Sequence, residues 1–407
     1  MTDRRTAFRE LISRLNPAEK PALALERGFY VEPAGSISAR LTTALELAPT
    51  ESHMLVGGIG SGKTTQLLRL QQRLGELDDV RAFYLDVLEK HRVERSARPG
   101  VLLALAGIEL AAAAEATLQV LPDEVRHARR TMKDLADGRL LDYPELFEPE
   151  EPDNWKPGLV DPPTTDHDLQ SLLQALELLV TALPFTPVIL FDGLDRMSDM
   201  DRFASLITHD VPALASAGIG AVVVSPQRSR TWHDGSLSEH FDQLHLHGAM
   251  YLSEFLNRQE GMTFLHELLT LRAGDQDIFG ARGWLLVRFS GGLPRDLLAL
   301  ARAAAEEAYR AGDDTVKTDH VRIAADRFGR DLLVGLDAAT LEHLRKLAGE
   351  ATIDWDLPHA TVPFTAATEN DIALLLRRLI IEVGTVPVSY TLHPTIISLI
   401  ARRRRRA

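Results

Sequence analysis

The chain has no cysteine in its 407 residues. Disulfide staples and thiolate metal sites are therefore excluded, as suits a reducing cytosol. It also lacks any apolar run of about 18 residues, the minimum for a membrane-crossing helix. Its opening residues, MTDRRTAFRE, have no apolar core of a signal peptide. The expectation is a cytoplasmic chain with no membrane partner. Basic side chains are the minority, 45 against 58 acidic, for a formal net charge of -13. That balance favours solubility and argues against a whole surface built for nucleic acid. Aromatic residues make up only 6%, and Trp155, Trp232, Trp284 and Trp355 are scattered, as packing residues would be. No nucleophile elbow, kinase signature or internal repeat is present. Among 14 histidines, His245 and His247 share one strand face, but no third ligand has metal-binding spacing to them, so no zinc site is expected. What remains is an ordinary globular composition, 45% hydrophobic and 25% charged, with length for two or three domains.

Against this background, residues 57 to 64 read GGIGSGKT. This fits G-x-x-x-x-G-K-[ST], with Gly57, Gly62, Lys63 and Thr64 at the fixed positions. A chain of this length shows the pattern by accident roughly once in a hundred cases. Glycines let successive N–H groups, from Gly57, Gly58, Ile59, Gly60, Ser61 and Gly62 onward, turn toward an anionic phosphate. The following helix points its positive dipole end at the same spot. Lys63 then reaches the β- and γ-phosphates of ATP, or the β-phosphate of ADP, Thr64 holds Mg²⁺ through its hydroxyl, and Thr65 continues the helix. The bland alternative is a glycine turn without a ligand. His53–Val56 ahead of the motif reads as a buried strand and Thr65–Leu74 as an amphipathic helix.

Short apolar runs alternate with amphipathic helices along the chain, which predicts an α/β domain with a largely parallel sheet. Strands are expected at His53–Val56, Arg81–Val87, Val188–Phe191, Gly220–Val224 and Gln243–Leu246. Between the second and third come helices at Val101–Leu118, Asp123–Asp137 and Asp168–Leu183. The Pro-rich acidic stretch Tyr143–Pro163 cannot continue a helix and reads as a surface excursion or lid, part of an insertion over 120–165. From Leu252 to Phe328 the pattern is helical. Beyond it, helices at Ala338–Leu347 and Glu369–Leu379, strands at Ile380–Val383 and Val388–Leu392, and a helix after Pro394 predict a winged helix.

Residues 188 to 196, VILFDGLDR, place Asp192 where a strand emerges from the sheet. In P-loop enzymes a carboxylate there accepts from metal-bound water or from the loop Thr, which makes Asp192 the second metal residue. VILFDGLDR, GGIGSGKT and SGGLPRDLLALARAAAEEA at 290 to 308 together resemble an AAA+ ATPase of the branch holding origin-recognition initiators and STAND signalling ATPases. The likeness runs from Phe29 to Leu399. It implies a five-stranded sheet, an α-helical lid, a C-terminal winged helix, and nucleotide between sheet and lid. In domain terms it implies an N-terminal helical segment 1–28, a nucleotide-binding domain 29–250, a lid 251–329, a winged-helix-like domain 330–401 and an arginine tail 402–407. It also implies that Tyr30 and Val31 touch adenine, that Arg295 senses the γ-phosphate, and that Ser225 orients water or phosphate. Arg295 has a bland reading too, as a solvated arginine at a Pro-initiated helix start.

Two departures matter. Gly193 stands where many AAA+ enzymes have a Glu that polarises the attacking water, and Asp195 of DGLD is the corresponding acid in STAND proteins. His240 stands where relatives carry a trans-acting arginine, leaving Arg228 and Arg230 as substitutes. The expectation is a slowly hydrolysing ATPase that switches its own assembly or a protein partner. The alternative is an ATP-regulated DNA-binding initiator that uses the winged helix and the run Arg402–Arg406. Its recognition helix, ENDIALLLRRL, has only Arg377 and Arg378 as basic residues.

Overall fold

The computed structural model describes residues 4–87, 99–118, 122–136, 166–197, 199–230, 232–249, 258–274, 277–350, 352–354, 359–366, 368–383 and 389–400. The Pro-rich acidic stretch, Trp155, Trp355, the turn at Gly384 and Pro387, and the arginine tail lie outside the described residues. Two compact units emerge: Ile37–Val56 with Gln66–His245, and Met1–Ser36 with Gly57–Thr65 and Leu246–Ala407.

The first unit carries a sheet of β1 (Ser52–Gly57), β2 (Val80–Asp86), β3 (Thr186–Asp192), β4 (Gly220–Ser225) and β5 (Gln243–His247), in the order β2-β3-β4-β1-β5. The pairs β1–β4, β2–β3 and β3–β4 are parallel, with Val56 beside Ser225, Phe191 beside Val223 and Asp86 beside Asp192. The C-terminal ends of these four strands thus open on one edge, where parallel sheets bind ligands. β4 is buried along its whole length and β3 from Pro187 onward. This is why PVILF and GAVVV read as unbroken apolar runs: both faces of each strand are covered.

Helices α3 (Ile37–Leu47) and α4 (Lys63–Leu74) cover one face. Leu67, Leu70 and Leu74 recur at helical spacing and pack with Leu41 and Leu45 on Val188, Leu190, Val222 and Val224. The unit continues through α5 (Val101–Thr117), α6 (Asp123–Ala136), α7 (Asp166–Ala182) and α8 (Met200–Ser216). α5 is apolar on nearly every side and largely buried, so its unpaired N-terminal amides need a partner inside the protein. Asp210 of α8 supplies it, accepting from the Gly100 N–H at 2.6 Å and the Leu102 N–H at 2.8 Å. Burial pushes the Asp210 carboxyl up to about 7 against the pull of these backbone bonds.

In the second unit, α1 (Arg4–Arg14), α2 (Pro21–Glu26), α9 (Arg258–Ala273), α10 (Arg282–Phe289), α11 (Pro294–Ala311) and α12 (Thr318–Leu333) are followed by a small α+β module. Phe8, Leu11 and Leu15 pack into the same core as Leu265, Leu286, Leu297, Ala301 and Ala304. The alanines of α11 let neighbouring helices approach closely. Pro294 opens α11 and Gly312, at φ +82°, closes it.

The module comprises α13 (Ala338–Glu350), β6 (Thr352–Asp354), β7 (His359–Val362), α14 (Glu369–Leu376), β8 (Ile380–Val383), β9 (Ser389–Leu392) and α15 (Pro394–Ile400). Its antiparallel sheet has the order β6-β7-β9-β8 around Leu344, Leu374, Leu379, Ile396 and Ile397. The expected β8–β9 hairpin is present. β6 and β7 are additional, and at three and four residues each is too short to display an alternating pattern. The chain thus folds as a P-loop NTPase α/β sheet with an α-helical lid. Among the described residues no helix is long and apolar enough to cross a membrane.

Candidate nucleotide-binding site

The loop GGIGSG runs from the end of β1 to the first residue of α4. Gly60 and Gly62 have φ of +83° and +104°, left-handed conformations that turn the chain and that side chains disfavour. Lys63 is 5% exposed, and its Nζ donates to the Gly57 oxygen at 2.8 Å and the Gly58 oxygen at 3.0 Å. Ser61 is buried, and its Oγ has no hydrogen-bond partner among the described residues. A bare buried hydroxyl is costly unless something meets it. Left-handed glycines, an orphaned hydroxyl, a buried ammonium and the start of a 12-residue helix together fit a polyphosphate.

His247, the last residue of β5, braces this loop. Its Nε2–H donates to the Ser61 oxygen at 2.9 Å, which fixes the tautomer because a carbonyl can only accept. Its own carbonyl occupies the place where a Cβ on Gly57 would fall. Arg295, exposed at the start of α11, lies against the other side of the loop: a Cβ on Gly60 would stand 3.3 Å from the Arg295 Cβ. Thr64 and Thr65 are half-buried in the first turn of α4, and Tyr30 and Val31 are half-buried between α2 and α3. Just before them, the Arg272 guanidinium lies 4.6 Å from the Phe29 ring centre, and the same group pairs with Glu19.

In the sheet unit Asp192 is 6% exposed at the end of β3. Its Oδ2 accepts from Tyr84 Oη at 2.8 Å and its Oδ1 from the Gly193 N–H at 2.8 Å. These two bonds fix the orientation of the carboxylate at the strand end. An acidic side chain held this way and the hydroxyl of Thr64 in the first turn of α4 are each hard oxygen donors of the kind that Mg²⁺ takes. Gly193 has φ +89° at the head of the 3₁₀ turn Leu194–Arg196, so the missing Glu has a backbone cause. Asp195 is half-buried in that turn. Ser225 is fully buried, with Oγ 3.5 Å from the Val223 oxygen, at the limit of hydrogen bonding. Arg228 is half-buried in the turn Gln227–Arg230, and His240 Nε2 lies 3.4 Å from Thr208 Oγ1.

Sequence reasoning missed two supporting residues. Tyr84 becomes visible only through the β2–β3 register, which sets it beside Leu190, two positions short of Asp192. His247 stood out only as one of an alternating pair of histidines. Its partner in that pair, His245, meets His53 of β1 ring to ring, Nε2 to Nδ1 at 3.2 Å, and both are buried. Desolvation pushes each of these rings down to about 4.

No family model and no curated protein matches the chain. Solved structures of similar arrangement include the Aeropyrum pernix ORC2 protein, at 14% identity and TM-score 0.45, covering 92% of this chain and 97% of that one. The Pyrobaculum aerophilum Cdc6p gives 13% and 0.42, covering 95% and 97%. A Walker-type ATPase of Pyrococcus abyssi gives 15% and 0.47, covering 89% and 94%.

Proposed function

We propose that this protein is an ATP-binding, Mg²⁺-dependent molecular switch of the AAA+/STAND type, which hydrolyses ATP slowly and controls its own assembly or a protein partner. The observation that carries this reading is the phosphate loop: a buried Lys63 ammonium and an orphaned Ser61 hydroxyl at the start of α4. In this reading the loop amides and Lys63 grip the β- and γ-phosphates. Thr64 and Asp192 hold the metal, which when bound supplies positive charge beside the phosphates. Tyr84 keeps the Asp192 carboxylate turned to that task. Asp195 and Ser225 are the groups available to orient water, and without a Glu at 193 hydrolysis is slow. Arg295 reads the γ-phosphate, since a forked, permanently charged guanidinium suits phosphate oxygens. Tyr30 and Val31 flank the base. ADP is the second ligand state, and the residue spans 29–250, 251–329 and 330–401 act as nucleotide domain, lid and winged helix.

The DNA-binding alternative loses support at the very residues it needs. Arg377 donates to the Val334 oxygen at 2.5 Å and the Leu332 oxygen at 3.3 Å, and Arg378 pairs with Asp296 at 3.0 Å. The only basic residues of the would-be recognition helix are thus engaged within the protein.

Calorimetric titration with ATP and Mg²⁺, and light scattering of the eluting protein with and without ATP, test the proposal. Wild type is expected to bind in the micromolar range or tighter and to change assembly with ATP. Lys63→Ala is expected to lose both. Absence of binding by folded wild type refutes the nucleotide site, and identical assembly in both conditions refutes the switch.

A further inference from the structure

The residue after Arg295 is an acid sealed in the protein. Asp296 is 1% exposed in the first turn of α11. Its Oδ2 lies 3.0 Å from Arg378 Nε and 3.4 Å from His393 Nε2, and His393 is completely buried. Both partners come from the α+β module, Arg378 from the turn between α14 and β8 and His393 from the junction of β9 and α15. Neither contact is aligned as a hydrogen bond, so the Arg378 guanidinium holds Asp296 by charge at close range while the His393 ring packs beside it. His393 is itself fixed, its Nδ1 2.7 Å from Thr395 Oγ1.

Two further features show that the module is built around this contact. Arg378 has φ +58° and is the one non-glycine with positive φ among the described residues. A side-chain-bearing residue is strained in that conformation, which persists only where surroundings enforce it. Gly291, at φ +64°, passes so close that a Cβ there would meet Ile381 Cδ1 and, at 3.2 Å, Pro394 Cδ. Leu293 and Ile381 share a small core with Ala249. The entry to α11 is therefore held by the module through backbone proximity, apolar packing and a buried ion pair. One residue away, the stem of Arg295 rests on Gly60.

We propose that Asp296 and Arg378 are positioning residues that set how Arg295 distinguishes a triphosphate from a diphosphate, making γ-phosphate recognition dependent on the C-terminal module. Neither residue touches the phosphate loop in this account. They anchor the first turn of α11, and the arginine on that turn inherits its aim. The inference rests on the proposed role of Arg295.

The test is the ratio of affinities for the β,γ-imido analogue of ATP and for ADP, both with Mg²⁺, measured by calorimetry on the full chain. Arg378→Gly removes the guanidinium while suiting the left-handed backbone, so it folds even where Asp296→Asn does not. Wild type is expected to prefer the triphosphate. Arg295→Ala, Arg378→Gly and Asp296→Asn should each reduce that preference at least fivefold, and Arg295→Ala combined with Arg378→Gly should match Arg295→Ala alone. Asp210→Ala, a destabilising change in the sheet unit, should leave the ratio unaltered. An unchanged ratio in Arg378→Gly, or losses that multiply in the double variant, overturns the proposal. A wild type that binds both ligands with a ratio insensitive to Arg295→Ala removes the sensor and the inference with it. A wild type that binds neither refutes the nucleotide site itself.

Discussion

Acidification should unfold this protein through two histidines that the sheet holds neutral. His53 on β1 and His245 on β5 are 0% and 6% exposed. Burial lowers both to about 4 from the ordinary 6.5, with Asp242 pulling His53 upward and with His53, then Arg40, pushing His245 further down. In the unfolded chain both rings take up protons near 6.5, whereas in the fold they do so only near 4. Their contribution is therefore complete above pH 6.5 and is lost as pH falls from there toward 4. At pH 5 each ring costs roughly 2 kcal/mol, so the pair costs about 4, with a slope of about 3 kcal/mol per pH unit from two protons. Asp210 acts oppositely. Its raised carboxyl is protonated in the fold below about pH 7 and in the unfolded chain only near 4, so it adds stability over the same descent. A comparison of variants separates the two effects. Urea melts of wild type and of His53→Leu with His245→Leu, at pH 7.5, 6 and 5, should diverge by about 4 kcal/mol by pH 5, with the variant the less acid-sensitive. Leucines replace both partners of the contact and leave no unmet polar atom. Parallel curves for the two proteins would refute the reasoning, as would ring proton shifts in wild type that titrate near 6.5.

Asp210→Ala should cost about 2–4 kcal/mol in a urea melt at neutral pH, because two amides at the start of α5 lose their acceptor inside the protein. A loss below 1 kcal/mol would mean that water replaces the carboxylate. Gly193→Glu, which introduces the residue that many AAA+ enzymes carry after the strand-end acid, should lower stability by about 1–2 kcal/mol through its left-handed backbone and fail to raise phosphate release. A several-fold faster turnover would show that chemistry at this position outweighs the strain. Isolated wild type should release phosphate at less than about one per second.

Much of the architecture could be read from residue patterns because it is written in short-range signals. The apolar runs VILF and AVVV mark strands buried on both faces, and the Leu67, Leu70, Leu74 spacing marks a helix that rests on them. The phosphate loop was legible for a related reason: its glycines and lysine act within eight consecutive residues. What escaped depends on partners distant in sequence. Tyr84 and Asp192 are 108 positions apart, and only strand register joins them. His247 braces the loop from 186 positions beyond Ser61. The α+β module was the least legible part, since β6 and β7 are too brief for periodicity and the ion pair of Asp296 with Arg378 joins residues far apart in the sequence. Arg378 stood out in the sequence only as one of two basic residues in a largely apolar helix, and its positive φ and its contact with Asp296 show that it is turned inward.

The carbonyl of His247 gives the first glycine of the phosphate motif a duty unconnected with phosphate. A neighbouring strand already claims the volume any side chain at position 57 would need, so a methyl group there is evicted by the sheet before a ligand arrives. A variant of this chain stripped of every other feature of the loop would still be obliged to keep that glycine for as long as β5 ends where it does. Retention of Gly57 therefore reports how β1 lies beside β5, whereas Lys63 is the residue on which the proposed ligand depends.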